Sequence, residues 1–175
     1  MELAVVGYPH ISERDYDWIQ AVRAEHDIYY EIIPPHFTFV FPCSTTDAVE
    51  FVGHIKQYTT GVKQIRFVSR CALAVKDLVS KYTYVFLCPD DGFSDIVRLH
   101  DRLYTGMLAS QLRLDIPFIP HIDIGNALTP EVCKSLVDDL NRNNFSIKGT
   151  IDTLDIVSFH GKEIKTIERI QLEES

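Results

Sequence analysis

The chain has 175 residues and a formal charge of −8, with 46% apolar and 24% charged residues. That composition supports a packed core and excludes a disordered chain, and the length admits one domain or two half-domains sharing a core. The acidic balance argues against coating a DNA duplex through its phosphates, and no apolar run approaches the roughly 20 residues of a bilayer span.

Met1-Glu2-Leu3 lacks a basic leader and is expected to begin a strand rather than a signal peptide. Leu3 to Gly7 predicts that strand. Ser12 is placed to cap a helix with Trp18, Ile19 and Val22 as its apolar stripe. The helix should stop near Asp27 to Tyr29, because Pro34 and Pro35 bias the preceding residues toward extended geometry. A strand from His36 to Phe41 follows. Asp47 and Glu50 then predict a helix start, with Ala48, Phe51, Val52 and Ile55 at helical spacing and Gly61 as the stop. His54, beside Glu50 and Tyr58, falls on the polar side of that helix and is expected to be solvated. His10 reads as a loop residue.

Two β-rich runs come next, Gln64 to Val75 and Lys81 to Cys88. A helix is predicted from Ser94 to Leu108, with Ile96, Leu99 and Leu103 inward. The strand His121 to Ile124 is entered from Pro117 and Pro120. Thr129 caps and Pro130 opens a further helix with Cys133, Leu136, Val137 and Leu140 as its stripe. Two strands, Ser146 to Phe159 and Lys162 to Leu172, close the chain around Gly161.

One phrase occurs twice. Pro35-His36-Phe37-Thr38-Phe39 returns as Pro120-His121-Ile122-Asp123-Ile124, with the histidines 85 residues apart. Side chains alternate along a strand, so His36 and Thr38 share one face, as do His121 and Asp123. Phe37, Phe39, Ile122 and Ile124 then point to a core. Each half reads strand, helix, motif strand, helix, strand. The prediction is an α+β chain, a bilobal pseudo-two-fold duplicated unit with antiparallel-rich sheets lining a central cleft and helices outside. Its single domain would divide into lobes of about 1–80 and 81–175, with room for terminal strands to be exchanged. One imidazole from each lobe facing a common cleft suits acid–base chemistry near neutral pH.

Two His-x-Thr/Ser-x phrases, one in each half, resemble the signature of the two-histidine phosphoesterase superfamily, which includes the bacterial 2′-5′ RNA ligase-like proteins and cyclic phosphodiesterases. The resemblance covers the whole chain in element order and rests on His36-Phe37-Thr38-Phe39 and His121-Ile122-Asp123-Ile124. It implies a bilobal α+β fold and hydrolysis of a 2′,3′-cyclic phosphate or related phosphodiester, with reverse 2′-5′ ligation, needing no cofactor and no metal. His36 and His121 would exchange protons with water and the leaving oxygen, and Thr38 would donate to a nonbridging oxygen. The chain departs from the pattern at Asp123. A hydroxyl donates to phosphate, whereas an ionised carboxylate cannot. A carboxylate beside His121 would hold that imidazole protonated, which makes His121 the expected acid and His36 the expected base.

Residues 61 to 81 carry Lys63, Arg66, Arg70, Lys76 and Lys81 against Asp77 alone, a local field able to steer a small phosphorylated ligand, which the resemblance implies is a nucleotide or an RNA end. Arg66 and Arg70 are expected to look into the groove, where Arg70 would bind phosphate. Tyr8, Tyr82 and Tyr84 sit on or beside strands, and Tyr8 and Tyr84 are candidates for stacking a base. Cys43, Cys71, Cys88 and Cys133 are widely spaced, which points to a reduced cytoplasmic protein, expected to be a monomer. Competing readings are a metal site on His36, His121 and Asp123, a binding module whose turnover is weakened by Asp123, and an interaction domain in which the motifs are coincidence.

Overall fold

Local signals in the sequence set most of the elements. The computed structural model describes residues 2–44, 47–161 and 163–174. Ser12 accepts a bond from the Asp15 amide and opens α1 (Glu13–His26) between β1 (Glu2–Gly7) with the short β2 (His10–Ile11) and β3 (Phe37–Ser44). The Asp47 carboxylate accepts from the amides of Val49 and Glu50 and opens α2 (Ala48–Thr59). There follow β4 (Ile65–Lys76), β5 (Thr83–Asp91), α3 (Phe93–Leu103), β6 (Ile122–Ala127) and α4 (Pro130–Arg142). The chain closes with β7 (Ile147–Ile151), β8 (Thr153–His160) and β9 (Glu163–Gln171).

The strands form two antiparallel sheets, ordered β3-β1-β8-β9 and β2-β7-β4-β5-β6. The fold is therefore mixed α+β. Both motif strands, β3 and β6, are edges, and each pairs with the first strand of its own half. The sheets cut across a division of the chain at residue 80. β4, from the first half, pairs with β5 and β7, while β8 and β9 complete the first sheet. Two helices cross over as well: α1 packs on β6, and α3 packs on β3. The core between helices and sheets is continuous, joining Phe37 and Phe39 of β3 to Ile122 and Ile124 of β6, with Ile19, Phe51, Ile55, Ile96 and Leu103 from the helices.

Several sequence expectations are corrected. The predicted strand over 146–159 is two strands, because the chain leaves one sheet at Ile151 and enters the other at Thr153. The predicted start of the last strand, Lys162, lies outside the described residues. The helix predicted to reach Leu108 ends at Leu103 and gives way to a 3-10 turn, Gly106–Gln111, entered through Gly106 at φ +51°. Thr129 stands at the start of α4, but its hydroxyl makes no capping bond; its carbonyl accepts from the Val132 amide instead. His54 is 7% exposed, not solvated, because α3 covers that side of α2 and the Leu103 carbonyl accepts from its Nε2. No helix among the described residues is long and apolar enough to cross a membrane.

Candidate active site

Each histidine stands immediately before its strand, and a proline explains why. Pro35 and Pro120 have no N–H to give to a ladder, so pairing begins one residue after the histidine, at Phe37 and Ile122. The imidazoles are held the same way. His36 Nδ1 lies 2.9 Å from the Pro34 carbonyl, and His121 Nδ1 lies 2.5 Å from the Ile119 carbonyl. A carbonyl only accepts, so Nδ1 carries the proton in both rings and Nε2 keeps its lone pair. Two tautomers are thus set by one local device used twice.

The rings meet at one cleft. A cavity of about 400 Å³ is lined by His36 and Thr38 from the β3 side and by His121 and Asp123 from the β6 side, with Arg23, Asp27 and Tyr29 along its wall. A second cavity, of about 440 Å³, shares Phe41, His121 and Asp123 and runs between Val75, Leu78, Tyr84, Phe86, Ile116 and Ile119. The Phe86 ring stacks on His121 at 3.4 Å between centroids, 13° from parallel. The Tyr8 ring stands edge-on to His36 at 6.2 Å.

Burial dominates the electrostatics. Desolvation lowers the pKa of His36 to about 4, against the raising effect of its bond to Pro34. The same cause, with charge on His36 acting in the same direction, lowers His121 to about 4. His121 therefore senses the charge state of His36. Asp123 is raised well above the ordinary carboxyl range, first by burial and then by the neighbouring Asp27 carboxylate. The expected effect of Asp123 on His121 is thus corrected. Burial favours the protonated acid at Asp123, so no fixed negative charge holds His121 cationic. A protonated carboxyl can also donate a hydrogen bond, as the Thr or Ser of the motif would.

Other predicted residues fare differently. Tyr84 lines the second cavity, and burial raises its pKa. Tyr8 follows β1 with its ring edge-on to His36, and burial and Asp155 push its pKa up to about 12. Arg70 lines neither cavity. It sits at a bulge of β4 and pairs with Asp90 and Asp91 on the neighbouring strand, which turns it away from the groove. Arg66 borders a surface depression with His10 and Lys148 instead. Among the described residues, no three His, Cys, Asp or Glu side chains are grouped to hold a metal.

Sequence reasoning missed the buried pair behind the histidines. Arg23, 2% exposed, donates from Nε to Asp27 Oδ2 at 2.8 Å and from Nη2 to the Ile33 carbonyl at 2.7 Å. The signal was present: Arg23 follows Ile19 by four residues, on the apolar stripe of α1, where an unpaired cation would be too costly. Phe86 was equally legible, two residues beyond Tyr84 on the same strand face.

The arrangement has known counterparts. TT0787 of Thermus thermophilus superposes with a TM-score of 0.65 at 13% identity, covering 98% of each chain. Escherichia coli LigT in its NADP+ complex gives 0.56 at 16% identity, covering 98% of this chain and 96% of that one. Kluyveromyces marxianus Usb1 gives 0.56 at 11%, covering 95% and 97%. These likenesses concern the fold. In sequence, a protein of Geobacillus sp. (strain WCH70) that carries a provisional phosphoesterase name is 27% identical over 161 residues, spanning 87% of this chain and 84% of its own. The family model of the 2′-5′ RNA ligase superfamily matches residues 9–163, and the chain belongs to that superfamily.

Proposed function

We propose that this protein is a phosphodiesterase that opens a 2′,3′-cyclic phosphate, on a nucleotide or an RNA end, by two-histidine acid–base catalysis without a metal. The observation that carries the reading is the matched pair of imidazoles, each fixed through Nδ1 to the carbonyl two residues upstream, on one cavity. One neutral Nε2 takes the proton of the attacking water. The other imidazole, protonated, gives its proton to the leaving ribose oxygen. Each transfer contributes about 10²- to 10⁴-fold. Thr38 donates to a nonbridging oxygen as charge accumulates there, and Asp123 as a carboxylic acid donates from the opposite side. With a 5′-hydroxyl in place of water, the same two proton transfers form a 2′-5′ phosphodiester as the bond from phosphorus to the 3′-oxygen breaks, and that oxygen leaves as a hydroxyl.

Both imidazoles are electrically neutral in the empty cleft at pH 7, given pKa values of about 4. An anionic phosphodiester between them favours the charged form of its neighbour, so substrate itself recruits the catalytic proton. His36 and His121 are held alike, and either can serve as the acid. LigT has been solved with 3′-AMP, with ATP and with NADP+, which supports a small phosphorylated ligand here. We place the protein in the cytoplasm as a monomer.

The test is hydrolysis of a 2′,3′-cyclic mononucleotide and a dinucleotide ending in a cyclic phosphate by wild type, His36→Ala, His121→Ala and Thr38→Ala. Each histidine variant should lose about 10²-fold or more in kcat. Turnover at the wild-type rate in both histidine variants would overturn the assignment.

A further inference from the structure

The cleft-side face of the first sheet carries a cation in an unusual setting. Strand register sets Thr38 of β3 opposite Val6 of β1, Val6 opposite Asp155 of β8, and Asp155 opposite Arg169 of β9. Residues paired across antiparallel strands point to the same side. Thr38 and Val6 line the catalytic cavity, so Asp155 and Arg169 continue that row outward on the cleft face. Asp155 is 1% exposed, and its carboxylate accepts from Arg169 Nε and Nη2, both at 2.8 Å, and from Thr166 Oγ1 at 3.0 Å.

This pairing fixes the guanidinium without using it up. The Arg169 side chain is 65% exposed, and among the described residues Nη1 has no protein acceptor. A forked cation held rigid on one edge and open on the other is preorganised for a second anion. Tyr8 joins the group to the catalytic one. Its ring is edge-on to His36, its hydroxyl feels both Asp155 and Arg169, and a pKa of about 12 leaves it a donor at neutral pH.

Resting on the two-histidine reading of the cleft, we infer that Arg169 and Tyr8 form a subsite for a second phosphate of the substrate, on the His36 side. Two strand spacings separate β3 from β8, and the guanidinium leans back from β9 toward β8, so the subsite lies on the order of 10 Å from Thr38. That span is too long for a phosphoanhydride partner of the reacting group. It suits a phosphate on a separate ester position: the 5′-phosphate of the same nucleotide, or the next phosphodiester of a short RNA end. The substrate class is thus a cyclic phosphate that bears a further phosphate.

Three probes separate the possibilities: a nucleoside 2′,3′-cyclic phosphate, the same compound with a 5′-phosphate, and a dinucleotide ending in the cyclic phosphate. KM is measured for each. In parallel, calorimetry measures binding of the ring-opened analogues that carry a 3′-phosphate. Wild type should favour at least one doubly phosphorylated probe by about three- to tenfold, and which of the two is favoured identifies the source of the phosphate. In Arg169→Gln that ratio should fall to about one. Arg169→Lys, which keeps a cation for Asp155, should retain only part of it and serves as the folding control. Equal ratios in wild type and Arg169→Gln, or no preference in wild type, would overturn the subsite. Absence of turnover with every probe would instead count against the catalytic reading, and the binding ratios would still decide the subsite.

Discussion

Asn126 Nδ2 donates to Asp27 Oδ1 across 2.9 Å, joining the end of α1 to the strand that follows His121. The other side of Asp27 holds Arg23, whose Nη2 donates to the carbonyls of Tyr29 and Ile33 in the segment leading to His36. The two motif strands belong to different sheets and share no ladder. This buried network therefore ties one histidine segment to the other. Close packing supports it, since a Cβ at Gly125 would stand 3.1 Å from the His26 Cβ.

Removing one member of the pair should be severe. Arg23→Ala or Asp27→Ala leaves a buried charge uncompensated, at a cost of about 3–5 kcal/mol, read as the urea midpoint of unfolding. Asn126→Ala, which keeps the ion pair, should cost about 1 kcal/mol yet lower kcat more than it raises KM, because the gap between the imidazoles loosens. Equal effects on kcat and KM would argue that the network only stabilises the fold.

The acid–base pair predicts an unusual pH dependence. The value of kcat/KM reports the free enzyme, in which both imidazoles lose their protons above about pH 4. It should therefore fall as pH rises from about 5 to 8, as the protonated partner becomes scarcer. Bound phosphate raises the imidazole pKa, so kcat should stay level over a wider range. A kcat/KM profile that is flat across this interval would contradict the electrostatics of the cleft.

Stability should move the other way. An unfolded histidine takes up its proton near pH 6.5, whereas folded His36 and His121 do so only near 4. The unfolded chain thus binds more protons between those values. The stability contributed by the neutral rings is complete above about pH 6.5 and is lost as pH falls toward and through 4. His100, lowered by burial for the same reason, adds to the effect. Chemical denaturation at several pH values should show a shallower slope for His121→Gln than for wild type.

Asp123 gives the opposite sign. Its folded pKa is raised, first by burial and then by Asp27, so its contribution is favourable at low pH and is lost as pH rises through the folded value. Asp123→Asn removes that penalty and keeps a hydrogen-bond donor. The variant should melt at a higher temperature than wild type at pH 7 and retain most of its turnover. Asp123→Ala should lose turnover by about tenfold or more. Loss of activity in Asp123→Asn equal to that in Asp123→Ala would show that the carboxyl group itself, and not merely a hydrogen-bond donor, is required.

The local sequence determined a great deal. Caps at Ser12 and Asp47, prolines before each histidine and the alternation within each motif are short-range effects, written in neighbouring residues. They set the helices, the strand faces and the orientation of His36, Thr38, His121 and Asp123. The repeat of one motif at equivalent places in two halves was legible for the same reason.

Tertiary structure decided the rest. Burial, not the adjacent carboxylate, controls the charge of His121, because desolvation depends on everything packed around the ring and appears nowhere in its neighbouring letters. Arg70 looked available until Asp90 and Asp91 arrived from the paired strand. Arg169, 48 residues beyond His121, joins the His36 side only because β8 and β9 return to the first sheet. Contacts between residues distant in sequence carry these outcomes, and chain folding alone brings them together.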